Sequence, residues 1–206
     1  MNLYKHCIVI TGGIGSGKST VSNLLKLYGY TIIEADNISS DIIKQRAVID
    51  KIVDTFGAEY QKDDGEIDKK KLGDLVFDDA ISKLLLEEIL HPLIRQEIEK
   101  KSLELESKNA IYFIDIPLFY ETKHYNIKNV LLVYADKDTQ IERIIKRDNI
   151  SKLEATKKVE SQIPNEEKKK LATYVIDNSK DLKHLQKEIE RFLKEVVWFK
   201  NRPNIL

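Results

Sequence analysis

The sequence predicts an α/β protein: a mostly parallel five-stranded sheet flanked by helices, with a helical insertion and a lid. Three observations carry this. Short, near-continuous apolar runs recur along the chain, as expected of parallel strands covered on both faces. Between them lie segments with apolar residues at helical spacing. The first apolar run also passes through a glycine-rich turn straight into a helical pattern.

The first strand is His6–Thr11, HCIVIT, and holds the only cysteine, Cys7, which reads as a small buried core residue. Residues 12–20 follow as GGIGSGKST and fit G-x-x-x-x-G-K-[ST], with Gly12 first, Gly17-Lys18 closing and Ser19 last. After them, Val21, Leu24, Leu25 and Tyr28 recur at helical spacing and stop at Gly29. Strand, glycine loop and helix are the context in which this pattern is a phosphate site, and they predict a P-loop NTPase fold. Glycines let the loop curl so that backbone N–H groups point inward at phosphate oxygens. The helix N-terminus adds free N–H groups and partial positive charge. Gly13, Ile14, Gly15, Ser16, Gly17, Lys18, Ser19 and Thr20 are therefore the expected ATP-binding residues, with Lys18 on the terminal phosphates and the Ser19 hydroxyl on a bridging Mg²⁺. The loop alone does not say what receives the phosphate, since switch GTPases, motor ATPases and small-molecule kinases share it.

The second strand is Thr31–Glu34, followed by Ala35-Asp36. The pattern then turns helical over residues 37–108, an insertion too long for a simple crossover and too patterned for a loop. Within it, Asp63-Asp64-Gly65 predicts the turn of a small hairpin, and Asp68 an N-cap. A long helix from Asp79 is expected to be interrupted at His91-Pro92, because proline removes a donor and disfavours helix in the residue before it. The third strand is Ala110–Ile116 and the fourth Val130–Tyr134. Asp138 is expected to cap the helix carrying Ile141, Ile144 and Ile145. Ser151-Lys152-Leu153-Glu154 has the form of a capping box, and the charged run Glu166–Lys170 reads as a solvated helical face. Tyr174-Val175-Ile176 is the last strand, and a helix through Val196 ends the pattern. The pattern divides the chain into a phosphate-loop core of residues 1–36, 109–147 and 172–206, a helical insertion of 37–108, and a polar segment of 148–171 that reads as a mobile flap.

Ligands of open α/β sheets gather outside the carboxyl ends of the strands. Asp36 at the second strand either accepts or orients the proton of an acceptor hydroxyl, or caps the next helix. Asp115 at the third strand either holds the metal through water or bonds the phosphate loop. The turn Pro117-Leu118-Phe119-Tyr120-Glu121 follows, and Glu121 either contacts substrate or faces solvent. Arg143 and Arg147 share one helix face and either lie over the migrating phosphoryl group or are solvated, the latter being favoured on local grounds. His91, with Arg95 one turn on, is either structural at a helix break or receives an anionic acceptor.

Bulk properties narrow the class. Lys plus Arg is 34 and Asp plus Glu is 34, so no basic field argues for nucleic acid. No run approaches the ~18 apolar residues of a membrane span, and no signal peptide precedes the first strand, so a cytoplasmic enzyme without membrane or nucleic-acid partners is expected. An oligomer is compatible with the sequence.

The order and spacing of GGIGSGKST, Glu34-Ala35-Asp36, His91-Pro92-Leu93-Ile94-Arg95, Ile116-Pro117-Leu118 with Glu121, Gln140 with Arg143 and Arg147, Gln162, and Ile176-Asp177-Asn178 resemble the dephospho-CoA kinase family over nearly the full length. The resemblance implies ATP-dependent phosphorylation of the ribose 3′-hydroxyl of dephospho-CoA, the last step of coenzyme A synthesis. By family role, Asp36 would activate that hydroxyl, Arg143 and Arg147 would serve the phosphates with Lys18, and Asn178 would lie near adenine. His91, Arg95, Pro117, Leu118 and Glu121 would belong to the substrate side. The resemblance also implies that the core binds the nucleotide, that the insertion binds the substrate (CoA) and that the flap is a lid. The chain departs from the family pattern at Glu34, at Phe119-Tyr120, at Lys158 in place of a lid arginine, and at Thr173 in place of an aspartate. A nucleoside or nucleoside-monophosphate kinase is the nearest rival. A guanine nucleotide switch lacks its Asn-Lys-x-Asp element here.

Overall fold

In a computed structural model, residues 3–122 and 125–200 are described, except for the side chains of 197–200. The outermost residues of the expected core, 1–2 and 201–206, lie outside the described residues. Residues 34–108 form one compact unit, and the described residues on either side of them in sequence form the other.

The larger unit holds a five-stranded sheet. Its strands are β1 (Cys7–Thr11), β2 (Thr31–Glu34), β3 (Tyr112–Asp115), β4 (Val130–Tyr134) and β5 (Tyr174–Asp177), in the spatial order β2-β3-β1-β4-β5. β1 pairs in parallel with β3 and β4, and β4 pairs in parallel with β5. All five residues of β1 and of β4 are buried, which explains their continuous apolar runs. On one face, Ile8, Ile10, Phe113, Leu131, Val133 and Ile176 pack under two helices, α1 (Lys18–Leu27) and the C-terminal Leu182–Lys200. Val21 and Leu25 of α1, and Leu185, Ile189 and Phe192 of the C-terminal helix, supply the covering stripe at helical spacing. Cys7 is fully buried, as its place in the first strand predicts.

The smaller unit is helical. Its elements are α2 (Ala35–Ile42), α3 (Arg46–Phe56), a 3-10 turn at Ala58–Tyr60, α4 (Lys69–Asp78) and α5 (Ala80–Glu106). The predicted hairpin is present as one antiparallel bridge, Gln61 to Ile67, and Asp68 caps α4 by accepting from the amides of Lys70 and Lys71. The break expected at His91-Pro92 does not occur: α5 runs straight through Pro92. A proline inside a helix costs about 3 kcal/mol, and burial of Ile89, Leu90 and Ile98 on both sides of it against α2, α3 and α4 offsets this. Tertiary packing thus overrides the local signal.

The rest of the larger unit is α6 (Phe119–Thr122), α7 (Lys137–Asp148), α8 (Lys152–Glu160), α9 (Asn165–Leu171) and the C-terminal helix, α10 (Leu182–Lys200). Asp136, not Asp138, caps α7, accepting from the Thr139 amide at 2.8 Å and the Thr139 hydroxyl at 2.9 Å. The helix begins two residues earlier than expected, so Asp138 falls in its first turn, where a negative charge suits the helix dipole. The predicted capping box closes on α8, with Ser151 and Glu154 bonding each other's backbone amides. Thr173 serves two backbone groups at the start of β4. Its hydroxyl accepts from the Val130 amide at 3.2 Å and donates to the Lys128 carbonyl at 2.9 Å.

Candidate active site

The phosphate loop leaves β1 at Thr11, whose hydroxyl donates to the Pro117 carbonyl at 3.0 Å and ties the end of β1 to the turn after β3. The loop then tightens through a bond from the Ser16 amide to the Gly13 carbonyl at 3.0 Å. It enters α1 at Gly17, which is left-handed with φ 83. Only glycine suits that conformation at no cost, and a Cβ there would also collide with the Asn178 side-chain amide.

Three loop carbonyls are held from outside. Gln140 donates to the Ile14 carbonyl at 2.6 Å. Arg143 donates to those of Gly15 and Ser16 at 3.4 Å each, and Asn178 donates to that of Ser16 at 2.8 Å. The Arg143 guanidinium also donates to the Asn178 carbonyl at 2.8 Å, so it ties the loop to the end of β5. Acceptors thus face away from the cradle; the Thr20 amide is taken by the Gly17 carbonyl at 3.0 Å, so the amides of Lys18 and Ser19 at the very start of α1 are the helix-terminal groups available to an anion. Ser19 and Thr20 lie exposed at the helix start.

Lys18 is paired with Asp115, whose second oxygen accepts from the Ser22 hydroxyl at 2.8 Å. Asp115 ends β3 directly beside Ile10 of β1, which explains why strand pairing delivers it to the loop. The bond from Asp115 to the phosphate loop, one of its two expected roles, is made through Lys18.

Arg143 is half-buried on the loop, against the expectation of a solvated face. Arg147, one turn on, is exposed and turns to Asp148 at 2.7 Å. Lys158 reaches the same carboxylate at 3.0 Å and so links α8 to α7. The hydrogen bonds from Arg147 and then Lys158 hold the Asp148 carboxyl well below the usual carboxylate range.

The segment 148–171 approaches the loop through side-chain carbonyls. Gln162 accepts from the Ile14 amide at 2.8 Å, and Asn165 accepts from the Gly13 amide at 3.1 Å. Glu121 neither faces solvent nor stands alone: it accepts from the Ile163 amide at 3.3 Å and pairs with Lys168 at 2.7 Å. Lys168 is fully buried, so the charged run of α9 is not simply a solvated face. Glu166 accepts from the Tyr134 hydroxyl, and this bond together with burial pushes the phenol up to about 12. Pro117 is half-buried and Leu118 exposed on the turn leading to Glu121.

In the helical unit, Asp36 is exposed in the first turn of α2, with Glu34 rather than Asp36 at the N-cap position. His91 is half-buried on α5 and lines a cavity of about 530 Å³ with Ser39, Gly73, Phe77, Glu87 and Ile94. Arg95, one turn further, is exposed. The site residues that sequence reasoning missed are Ser22, Asn165 and Lys168. Ser22 is one turn beyond Lys18 on α1 and was readable from that spacing. Asn165 and Lys168 carry no local signal inside a charged run.

Comparison with known proteins matches residues 6–184 to the family model for dephospho-CoA kinase. The dephospho-CoA kinase of Sulfurimonas denitrificans is 47% identical over 193 residues, covering 94% of this chain and 95% of that protein. That of Helicobacter pylori is 42% identical over 196 residues, covering 94% and 98%. The solved structure of dephospho-CoA kinase from Campylobacter jejuni superposes with a TM-score of 0.73 at 32% identity, covering 93% of this chain and 96% of that one. With its loop, its strand order and these full-length matches, the chain belongs to the dephospho-CoA kinase family.

Proposed function

We propose that the protein transfers the γ-phosphoryl group of ATP to the ribose 3′-hydroxyl of dephospho-CoA, giving CoA and ADP. The observation that carries this reading is the phosphate loop of residues 12–20, held with its carbonyls outward, in a chain whose family match spans residues 6–184. Gly13–Thr20 line the polyphosphate site, with the amides of Gly13 and Ile14 held by Asn165 and Gln162 and those of Gly15, Gly17, Lys18 and Ser19 left to the phosphates, and Lys18 exchanges Asp115 for terminal phosphate oxygens. The exchange moves a cation to the place where charge develops in a loose phosphoryl-transfer transition state. Arg143 supports the loop and Asn178 borders the adenine end, while the exposed Arg147 is free to leave Asp148 for phosphate.

Asp36 orients the acceptor hydroxyl and takes its proton. His91 and Arg95, four residues apart on α5, serve the CoA side with Pro117, Leu118 and Glu121. Residues 37–108 act as the substrate-binding insertion and 148–171 as a lid that excludes water. Mg²⁺ fits this chain as a phosphate-bound ion. Among the described residues no group of three or more His, Cys, Asp or Glu is set to hold a metal. The exposed Ser19 hydroxyl, with phosphate oxygens and water, suits an ion that keeps part of its hydration shell, and Asp115 can assist through water. When bound, the ion neutralises charge on the phosphates. Among the described residues no helix is long and apolar enough to cross a membrane, and we infer a cytoplasmic enzyme acting on small molecules.

The test is a coupled ADP-release assay with dephospho-CoA set against nucleosides and nucleoside monophosphates. Turnover with dephospho-CoA alone is expected. Turnover with a monophosphate and not with dephospho-CoA would overturn the assignment.

A further inference from the structure

We propose that Gln162 and Asn165 are positioning residues that hold the first turn of the phosphate loop, so that segment 148–171 sets the affinity for ATP through the loop itself. The inference rests on the reading of residues 12–20 as the ATP site.

Both side chains present a carbonyl oxygen to a backbone amide of the loop, Gln162 to Ile14 at 2.8 Å and Asn165 to Gly13 at 3.1 Å. Asn165 is only 6% exposed, and its amide nitrogen donates to the Ala135 carbonyl at 2.9 Å, so it bridges the loop to the end of β4. Gln140, 3% exposed, donates to the Ile14 carbonyl at 2.6 Å. Ile14 therefore has its N–H taken by one glutamine and its C=O by another. These three neutral amide side chains complement backbone groups without adding charge beside a polyphosphate.

Gly13 is what lets them approach. A Cβ at that position would lie 2.6 Å from the Gln140 nitrogen and 2.7 Å from the Asn165 oxygen. The clamp is anchored in turn: the intervening Ile163 amide bonds Glu121 at 3.3 Å, and Lys168, one turn after Asn165, pairs with the same carboxylate at 2.7 Å. Residues 162–168 are thereby tied both to the loop and to the turn after β3. A loop whose outer peptides are fixed does not have to be ordered by the ligand, and that ordering cost otherwise appears as lost affinity.

The experiment compares Gln162→Met, which keeps length and removes the acceptor, with Gln162→Glu, which keeps the acceptor. Gln162 is half-buried, so both variants are expected to fold. Steady-state rates are measured with ATP and dephospho-CoA varied separately, and amide exchange is followed at Ile14. Gln162→Met is expected to raise KM for ATP about five- to tenfold, the cost of one backbone hydrogen bond, leave KM for dephospho-CoA within twofold, and speed exchange at Ile14. Gln162→Glu is expected to restore slow exchange at Ile14. An unchanged KM for ATP in Gln162→Met, or equal rises in both KM values, would overturn the proposal. Lys18→Ala separates the two levels. If it is inactive while Gln162→Met matches wild type, only the positioning role fails; if it keeps wild-type turnover, the loop reading fails and the proposal with it.

Discussion

The ion pair between Glu121 and Lys168 predicts an asymmetry between its two single variants. Lys168 is 0% exposed and Glu121 19%, at 2.7 Å. Replacing Glu121 by Ala leaves an ammonium with no access to water beside a lost carboxylate. Breaking a buried pair in that direction costs about 3–5 kcal/mol. Replacing Lys168 by Met leaves a carboxylate that is mostly shielded but 19% exposed and still accepts from the Ile163 amide, and a similar aliphatic volume fills the space of the lysine stem. The expected cost is only about 1–2 kcal/mol. In Glu121→Ala/Lys168→Met no buried charge remains, so the double variant should be more stable than Glu121→Ala alone, with a coupling of about 2–3 kcal/mol. Urea denaturation at pH 7 measures all four proteins. At about 2–4 °C per kcal/mol for a chain of this size, Glu121→Ala should melt roughly 6–20 °C below wild type. Equal losses in the two single variants, adding without coupling, would refute the view that the burial of Lys168 decides the energetics.

Three further expectations concern the chemistry and its pH range. Asp36→Asn should lower kcat at least a hundredfold, the usual worth of a positioned base, with ATP affinity within twofold by titration. Arg143→Lys should raise KM for ATP about tenfold, because a point charge cannot span the carbonyls of Gly15, Ser16 and Asn178, whereas Arg147→Lys should leave stability unchanged. Asp148 has a folded pKa below its unfolded value near 3.9, so the unfolded chain binds more protons as pH falls past about 4. Its contribution is fully present above that pH and is lost below it, and Asp148→Asn should flatten that part of the stability–pH curve.

The sheet and the phosphate loop were readable because their signals are local. An apolar run such as VLLVY needs both faces covered, and a glycine pattern between strand and helix has few other uses. Asp68, Ser151 and Glu154 were readable for the same reason, since a cap acts within three residues of itself. Apart from the cap of α7, where Asp136 stands in for Asp138, the misreadings involve distant partners. Pro92 speaks for a break until the packing of Ile89, Leu90 and Ile98 is known. Arg143 looks solvated because its acceptors lie 35, 127 and 128 residues away in sequence, and Lys168 looks solvated because Glu121 is 47 residues before it.

The same distinction explains how the loop is supported. Its own sequence supplies flexibility: Gly15 and Gly17 take positive φ, and Gly13 leaves room for neighbours. That freedom carries an entropic cost, because glycine loses more on ordering than any other residue. Beyond the loop's own bond from Ser16 to Gly13, the groups that offset the cost come from elsewhere in the chain: Asp115 from β3, Gln140 and Arg143 from α7, Gln162 and Asn165 from the stretch that leads into α9, and Asn178 after β5. Four separate stretches of chain therefore report on one loop. A variant in any of them should be read first for its effect on the KM for ATP, because the loop's geometry is the quantity they share, and an effect confined to dephospho-CoA would place that residue outside the group.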